Sequence, residues 1–68
     1  MKYNRIYIYH CAKVFCEDGI HVKFVEPCHT PEMAKERAAL WRERGYKARA
    51  ELVEYDNNKG GLHYTVLD

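Results

Sequence analysis

Several residue types that would identify a functional class are scarce in this 68-residue chain. It contains two prolines, four glycines and only three cysteines, Cys11, Cys16 and Cys28. Three cysteines cannot all pair within one chain, and a secreted domain of this size normally carries a denser, even set. The sequence therefore predicts reduced thiols and not a disulfide framework.

Long apolar runs and an excess of either charge are also missing. No stretch approaches the roughly 20 apolar residues of a membrane span, and the first four residues lack the apolar core of a signal peptide. The formal net charge is +1, which gives no overall attraction to nucleic acid. We expect a cytoplasmic protein without a membrane partner.

The size and the apolar content favour one small folded domain over residues 1–68. A hydrophobic share of 47% is that of a globular chain, not of a disordered one. A domain this short buries only about 60% of the surface of its unfolded chain, so its stability is expected to be modest.

Residues 30–45 carry the signals of one complete helix. Thr30 is a good N-cap, Pro31 suits the first helical position, and Gly45 can adopt the left-handed conformation that ends helices. Apolar residues recur along this segment at the three-to-four spacing of a single stripe: Met33, Ala34, Ala38, Leu40 and Trp41. The stripe requires a sheet on which to pack.

Four alternating segments supply that sheet. Residues 3–16 and 20–26 predict a hairpin around a three-residue loop, in which Cys16 opposes Ile20 and Val14 opposes Val22. Residues 46–55 and 62–67 follow the helix and predict a second hairpin. The predicted fold is α+β with the order ββαββ, a four-stranded antiparallel sheet with the first and third strands central and one helix on one face.

The alternation assigns each strand residue to one face of the sheet. The face toward the helix is predicted to carry Ile6, Ile8, Ala12, Val14, Ile20, Val22, Phe24, Ala48, Ala50, Leu52, Leu62, Tyr64 and Val66. The opposite face, which no second helix covers, is predicted to carry Tyr7, Tyr9, Cys11, Phe15, Val25, Val53, Tyr55 and Leu67. Small domains seldom expose many aromatic side chains unless they bind something there.

We therefore expect a binding surface on the uncovered face, formed by Tyr7, Tyr9, Phe15, Val53 and Tyr55. Its partner is predicted to be another protein or a second copy of the chain. Aromatic side chains on a sheet also stack RNA bases, but such sheets normally add a basic rim, so nucleic acid is the alternative. A plainly solvated face is the third interpretation, because tyrosine tolerates water and favours strands.

A second candidate surface is basic. Residues 35–49 contain six Lys or Arg against two Glu. We expect a patch near the helix C-terminus that suits phosphates or an acidic protein, formed by Arg37, Arg42, Arg44, Lys47 and Arg49. The alternative is a set of ordinary solvated charges.

The cysteines and histidines do not form a recognisable metal or catalytic motif. No close Cys-x-x-Cys pair is present, and Cys11 and Cys16 lie about 17 Å apart along one strand and on opposite faces. Cys28 precedes the helix and has His29 beside it, but no third group accompanies the pair. We predict no metal, no cofactor and no catalytic residue.

Two resemblances bear on function. The segments PEMAKERAALW (residues 31–41), GYKA (45–48) and GLHYTV (61–66) resemble parts of the SPOR domain, which binds peptidoglycan. They cover about half of the chain, and the second helix and strand of the SPOR pattern are absent. The resemblance implies a glycan binder of the cell envelope, which would require export.

In size and element order the whole chain resembles small phage-encoded anti-CRISPR proteins, several of which carry one helix on an antiparallel sheet. This resemblance implies a non-enzymatic inhibitor that blocks a host defence complex in the host cytoplasm by occupying its surface. Together with the uncovered face, it makes a protein-binding module the favoured interpretation, with nucleic-acid or glycan binding as alternatives.

Overall fold

The computed structural model describes residues 6–56, 58 and 60–68, and these form four strands and one helix. The strands pair antiparallel in the spatial order β2-β1-β3-β4, so the first and third are central. The predicted ββαββ fold is confirmed. The predicted start of the first strand at Tyr3 and the loop residues Asn57 and Lys59 lie outside the described residues. The elements are β1 (Ile6–Phe15), β2 (Val22–Cys28), α1 (Pro31–Glu43), β3 (Lys47–Asp56) and β4 (Gly61–Val66).

Helix α1 begins and ends where the capping signals predict. The Thr30 hydroxyl accepts a hydrogen bond of 3.0 Å from the Met33 N–H, which satisfies one of the free donors of the first turn. At the other end Arg44 is the C-cap of the helix. Gly45 follows with φ +95°, a backbone conformation that residues other than glycine rarely adopt.

The helix covers only half of the sheet. It follows Cys28, which is paired with His10, and it leads into Lys47, which is paired with Phe15. Thirteen helical residues span about 20 Å, whereas the ten residues of β1 span about 33 Å. The remaining part of β1, from Ile6 to Tyr9, therefore projects beyond the helix together with the adjoining parts of β3 and β4.

The core under the helix is built mainly from alanine. Ala34 and Ala38 of α1 meet Ala12 of β1 and Ala50 of β3, and all four are fully buried. Small side chains at these positions let the helix lie close to the sheet. Two larger side chains, Trp41 and Leu67, pack against the edge of this core and are partly buried.

Several residues predicted for the core are exposed. Ile8 lies on the helix side but beyond the reach of the helix, and its side chain is 57% exposed. Ile20 belongs to the hairpin loop and is 77% exposed, and Val22 is also exposed. The burial of Ile6, also predicted for the core, lies outside the description.

The register of the first hairpin differs from the prediction by two residues. Val14 pairs with Phe24 instead of Val22, and Ala12 pairs with Glu26. The loop is longer than three residues because the Asp18 carboxylate accepts hydrogen bonds from the N–H groups of Ile20 and His21, which holds both outside the strand. A shift of two leaves the facing of Val14, Ala12 and Phe24 unchanged, since side chains alternate with a period of two.

The prediction for β4 placed its apolar residues on the wrong face. Leu62 pairs with Tyr55, Tyr64 with Val53, and Val66 with Glu51. Directly paired residues share a face, so these three side chains lie opposite the helix. Leu67 also moves, because it packs against the core under the helix.

Candidate binding face

The side of the sheet opposite α1, here called the open face, consists of aligned rows across β1, β3 and β4. One row is Tyr7, Tyr55 and Leu62, and the next is Tyr9, Val53 and Tyr64. Farther along, Cys11 is aligned with Glu51 and Val66, and the last rows pair Lys13 with Arg49 and Phe15 with Lys47. The open face thus has an aromatic end and a basic end.

The aromatic end carries a contiguous group of side chains, of which Tyr55 is partly exposed and the others are exposed. It is here called the tyrosine patch: Tyr7, Tyr9, Tyr55, Leu62 and Tyr64. Tyr7, Tyr9 and Tyr64 are 53%, 44% and 54% exposed. With about 200 Å² for each tyrosine, these three alone leave about 300 Å² in solvent. The rings of Tyr7 and Tyr55 meet at a centroid distance of 6.2 Å, which holds them in place.

Of the five residues predicted to bind on this face, the structure brings together Tyr7, Tyr9 and Tyr55. Val53 lies between them but is buried under its neighbours, at 1% exposure. Phe15 lies six residues from Tyr9 along β1, about 20 Å away at the basic end. Sequence reasoning missed Tyr64 and Leu62, and only the pairing of β3 with β4 reveals them.

A buried carboxylate lies between the two ends of the open face. Glu51 is fully buried, and Lys13 Nζ approaches its Oε1 to 2.7 Å in a direction that makes an ion pair without a well-directed hydrogen bond. Arg49 Nε donates to Oε2. The two cations also rest on aromatic rings, Lys13 over Tyr64 at 4.5 Å and Arg49 over Phe15 at 4.8 Å. The buried Glu51 carboxylate therefore partly neutralises the positive charge of Lys13 and Arg49 at the basic end.

The cations near the helix do not form the single patch that the sequence predicts. Arg37 makes a bidentate contact with Glu26, at 2.7 and 3.1 Å, and its guanidinium lies 5.7 Å from the Trp41 ring. Arg44 lies over the same ring at 5.0 Å. The Trp41 indole N–H also donates to Glu26, at 3.2 Å. These contacts join α1 to the edge strand β2.

The other members of the predicted patch point elsewhere. Arg42 donates to the Ala48 carbonyl and to Asp68, which ties the chain end to the helix. Lys47 donates to the Glu17 carbonyl oxygen at 2.8 Å. Lys47 and Arg49 belong to the open face, while Arg37, Arg42 and Arg44 lie on the helix side of the sheet. No common surface therefore joins all five.

The contact between Glu26 and Arg37 predicts a pH dependence. The hydrogen bonds from Arg37 lower the pKa of Glu26 below the usual glutamate value of about 4.3, although burial opposes them. This stabilisation is present above pH 4.3 and is lost as the pH falls through the lower pKa of the folded state. Glu26→Gln should therefore flatten the acid side of a plot of the free energy of unfolding against pH. The stabilisation lost should be about 0.2 to 1 kcal/mol, the value of a partly exposed pair.

Arg37→Gln provides the control, because it removes the main cause of the shift and leaves the carboxyl in place. Both variants should show the same shallower acid slope, measured by thermal unfolding from pH 2.5 to 7. An unchanged slope in both would show that this pair contributes nothing to stability.

The cysteine and histidine residues are not brought together. Cys28 lies under the helix and Cys11 on the open face, and burial raises the pKa of both thiols. The Cys28 thiol donates to the Glu26 carbonyl at 3.5 Å. Among the described residues, no three His, Cys, Asp or Glu side chains are close enough to hold a metal ion together.

No protein-family model, no curated protein and no solved structure matches the chain. The resemblances to SPOR domains and to anti-CRISPR proteins therefore stay predictions. In the described part of the chain, no helix is long and apolar enough to cross a membrane.

Proposed function

We propose that the protein is a non-enzymatic binding module that docks another protein on its open face. The observation that carries the proposal is the tyrosine patch, in which three half-exposed tyrosines lie in two adjacent rows with Leu62 beside them. Tyrosine supplies a large, stiff contact area that tolerates water when the partner is absent. A standard complex covers about 800 Å² of each partner, so the patch would form its centre and the neighbouring side chains its rim.

The cations of the basic end are poorly available to nucleic acid, which favours a protein as the partner. Lys13 has a side chain only 13% exposed, and Glu51 already balances part of its charge and that of Arg49. Binding of nucleic-acid strands relies on cations that are free to meet phosphates. Leu62 and Val66 add aliphatic area, which suits a protein surface better than a base.

The most concrete form of this proposal is an inhibitor that covers the working surface of a larger host complex, in the manner implied by the resemblance to anti-CRISPR proteins. Such a protein needs a folded scaffold that presents one binding surface, and the tyrosine patch is the candidate for that surface. A second copy of the chain is the first partner to test. In that case the open face would be a homodimer interface.

Tyr9→Glu tests the proposal. A carboxylate at the centre of the interface loses aromatic contact and buries an unpaired charge, so affinity for the partner should fall by about 2 kcal/mol, roughly thirtyfold. The fold should lose no more than about 1 kcal/mol, because Tyr9 is half-exposed. Self-association is measured by sedimentation equilibrium, and other partners by quantitative mass spectrometry of captured proteins followed by titration of the purified partner.

Ala39→Glu is the matched control, since it adds the same charge at an exposed position of α1. It should bind like the wild type. If Tyr9→Glu binds as tightly as Ala39→Glu, the open face is not the interface. Retention on single-stranded RNA or DNA that Tyr9→Glu abolishes would favour the nucleic-acid alternative, and retention on peptidoglycan strands would favour the SPOR-like one.

A further inference from the structure

A pocket of about 400 Å³ lies at the end of the sheet remote from the tyrosine patch. Two segments distant in sequence form it: the β1–β2 hairpin with the start of β2, and the connection from α1 to β3. Its volume is within the range of small-molecule sites. Its walls carry two aromatic rings, two ammonium groups and a thiol, from Phe15, Tyr46, Lys23, Lys47 and Cys16.

The side chains that line the pocket are held by contacts of their own. The Tyr46 ring meets the Trp41 ring edge-on at 5.5 Å, and Lys23 Nζ lies 5.1 Å from the centre of the Tyr46 ring. Lys47 reaches across the hairpin loop to the Glu17 carbonyl oxygen at 2.8 Å. Both ammonium groups are thus placed at the pocket before any ligand arrives, which lowers the ordering cost of binding.

The charge of the lining selects the ligand. The lining residues include two lysines, Lys23 and Lys47, and one carboxylate, that of Glu17, which is exposed to solvent at the loop. A ligand in a pocket lined by two aromatic residues and two lysines gains most if it combines a flat ring with a negative group. We infer that this pocket binds a small aromatic acid, a ring that carries a carboxylate or a phosphate.

This site is separate from the tyrosine patch at the centre of the proposed interface. Phe15 lies six strand residues from Tyr9, about 20 Å away. A partner centred on the tyrosine patch leaves the pocket open, so the two proposals can fail independently.

Cys16 offers a direct readout of occupancy. It is partly exposed and lines the pocket, whereas Cys11 and Cys28 are 0% and 8% exposed. Iodoacetamide should therefore alkylate Cys16 first, and a ligand in the pocket should slow that reaction. The rate is followed by mass spectrometry, and dissociation constants come from the amide shifts of Cys16, Gly45 and Lys47 in NMR titrations.

The probes separate the two parts of the inference. Phenyl phosphate and benzoate carry ring and charge, benzyl alcohol carries the ring alone, and inorganic phosphate carries the charge alone. At least one of the two aromatic acids should bind at least tenfold more tightly than either partial probe and should protect Cys16. Absence of protection by both, or equal binding of inorganic phosphate, would overturn the inference.

Lys23→Met tests the charge, because methionine keeps much of the apolar stem and removes the ammonium group. It should weaken binding of the aromatic acid at least fivefold. Lys35→Met makes the same change at an exposed position of α1 and should leave binding within twofold of the wild type. Lys47→Met should act like Lys23→Met, and unchanged binding in both pocket variants would show that the ligand lies elsewhere.

Discussion

Glu51→Ala should destabilise the fold by about 3 kcal/mol, although Glu51 lies on the face that the helix does not cover. The carboxylate is fully buried and balances Lys13, whose side chain is itself 13% exposed. Removal of one partner from a buried ion pair leaves the other charge in a poorly solvated position, and such changes cost about 3 to 5 kcal/mol. Arg49 can turn toward water, which keeps the expected loss at the low end. Urea unfolding at neutral pH measures it.

Two further variants define the cause. Glu54→Ala changes a partly exposed carboxylate three residues along β3 and should cost less than about 1 kcal/mol. The triple variant Lys13→Met, Arg49→Met, Glu51→Leu removes all three charges together and should recover most of the lost stability, because an apolar replacement avoids the desolvation cost. A triple variant as unstable as Glu51→Ala would show that packing, not unpaired charge, explains the loss.

Trp41→Ala should cost about 3 kcal/mol, the lower end of the range for large aromatic side chains, because Trp41 is partly buried. The indole ring lies edge-on to Phe24 at 5.0 Å and to Tyr46 at 5.5 Å. It also joins α1 to β2 through Glu26. A domain of this length has a total stability of about 3 to 10 kcal/mol, so the variant should lose about a third or more of it and should unfold at a clearly lower temperature. Thermal unfolding followed by circular dichroism provides the measurement.

Trp41→Phe separates packing from the hydrogen bond. Phenylalanine retains a ring between its neighbours but lacks the N–H that Glu26 accepts, so its loss should be about 1 kcal/mol larger than a pure size change predicts. A melting temperature unchanged in Trp41→Ala would mean that the margin of the alanine core contributes little to the stability of the fold.

Local signals in the sequence were sufficient for the elements and for their order. Thr30, Pro31 and Gly45 mark the helix because each solves a backbone problem at a helix end, whatever the rest of the fold does. The sheet order followed from two hairpins joined by one helix. The open face was also predicted in outline, since Tyr7, Tyr9 and Tyr55 alternate with the strand residues on the helix side of the sheet.

The predictions that failed depended on pairing between segments. The facing of Leu62 and Tyr64 is decided by the register of β4 on β3, and their apolar character suggested the core instead. The burial of Glu51 required Lys13 from another strand to lie over it, which no local pattern reveals. The second strand was predicted over residues 20–26, but β2 continues through Pro27 to Cys28, because Pro27 lies in an edge strand opposite Cys11, where the missing N–H is tolerated.

The short reach of α1 gives the molecule two halves of unequal local stability. From Ala12 to Phe15 the sheet consists of β2, β1 and β3 and is backed by the helix, while from Ile6 to Tyr9 it consists of β1, β3 and β4 and is bare on both sides. Amide hydrogens in the bare half should exchange through local openings that leave the backed half intact. A partner bound at the tyrosine patch would suppress those local openings. Part of its binding free energy would therefore be used to order this half of the sheet.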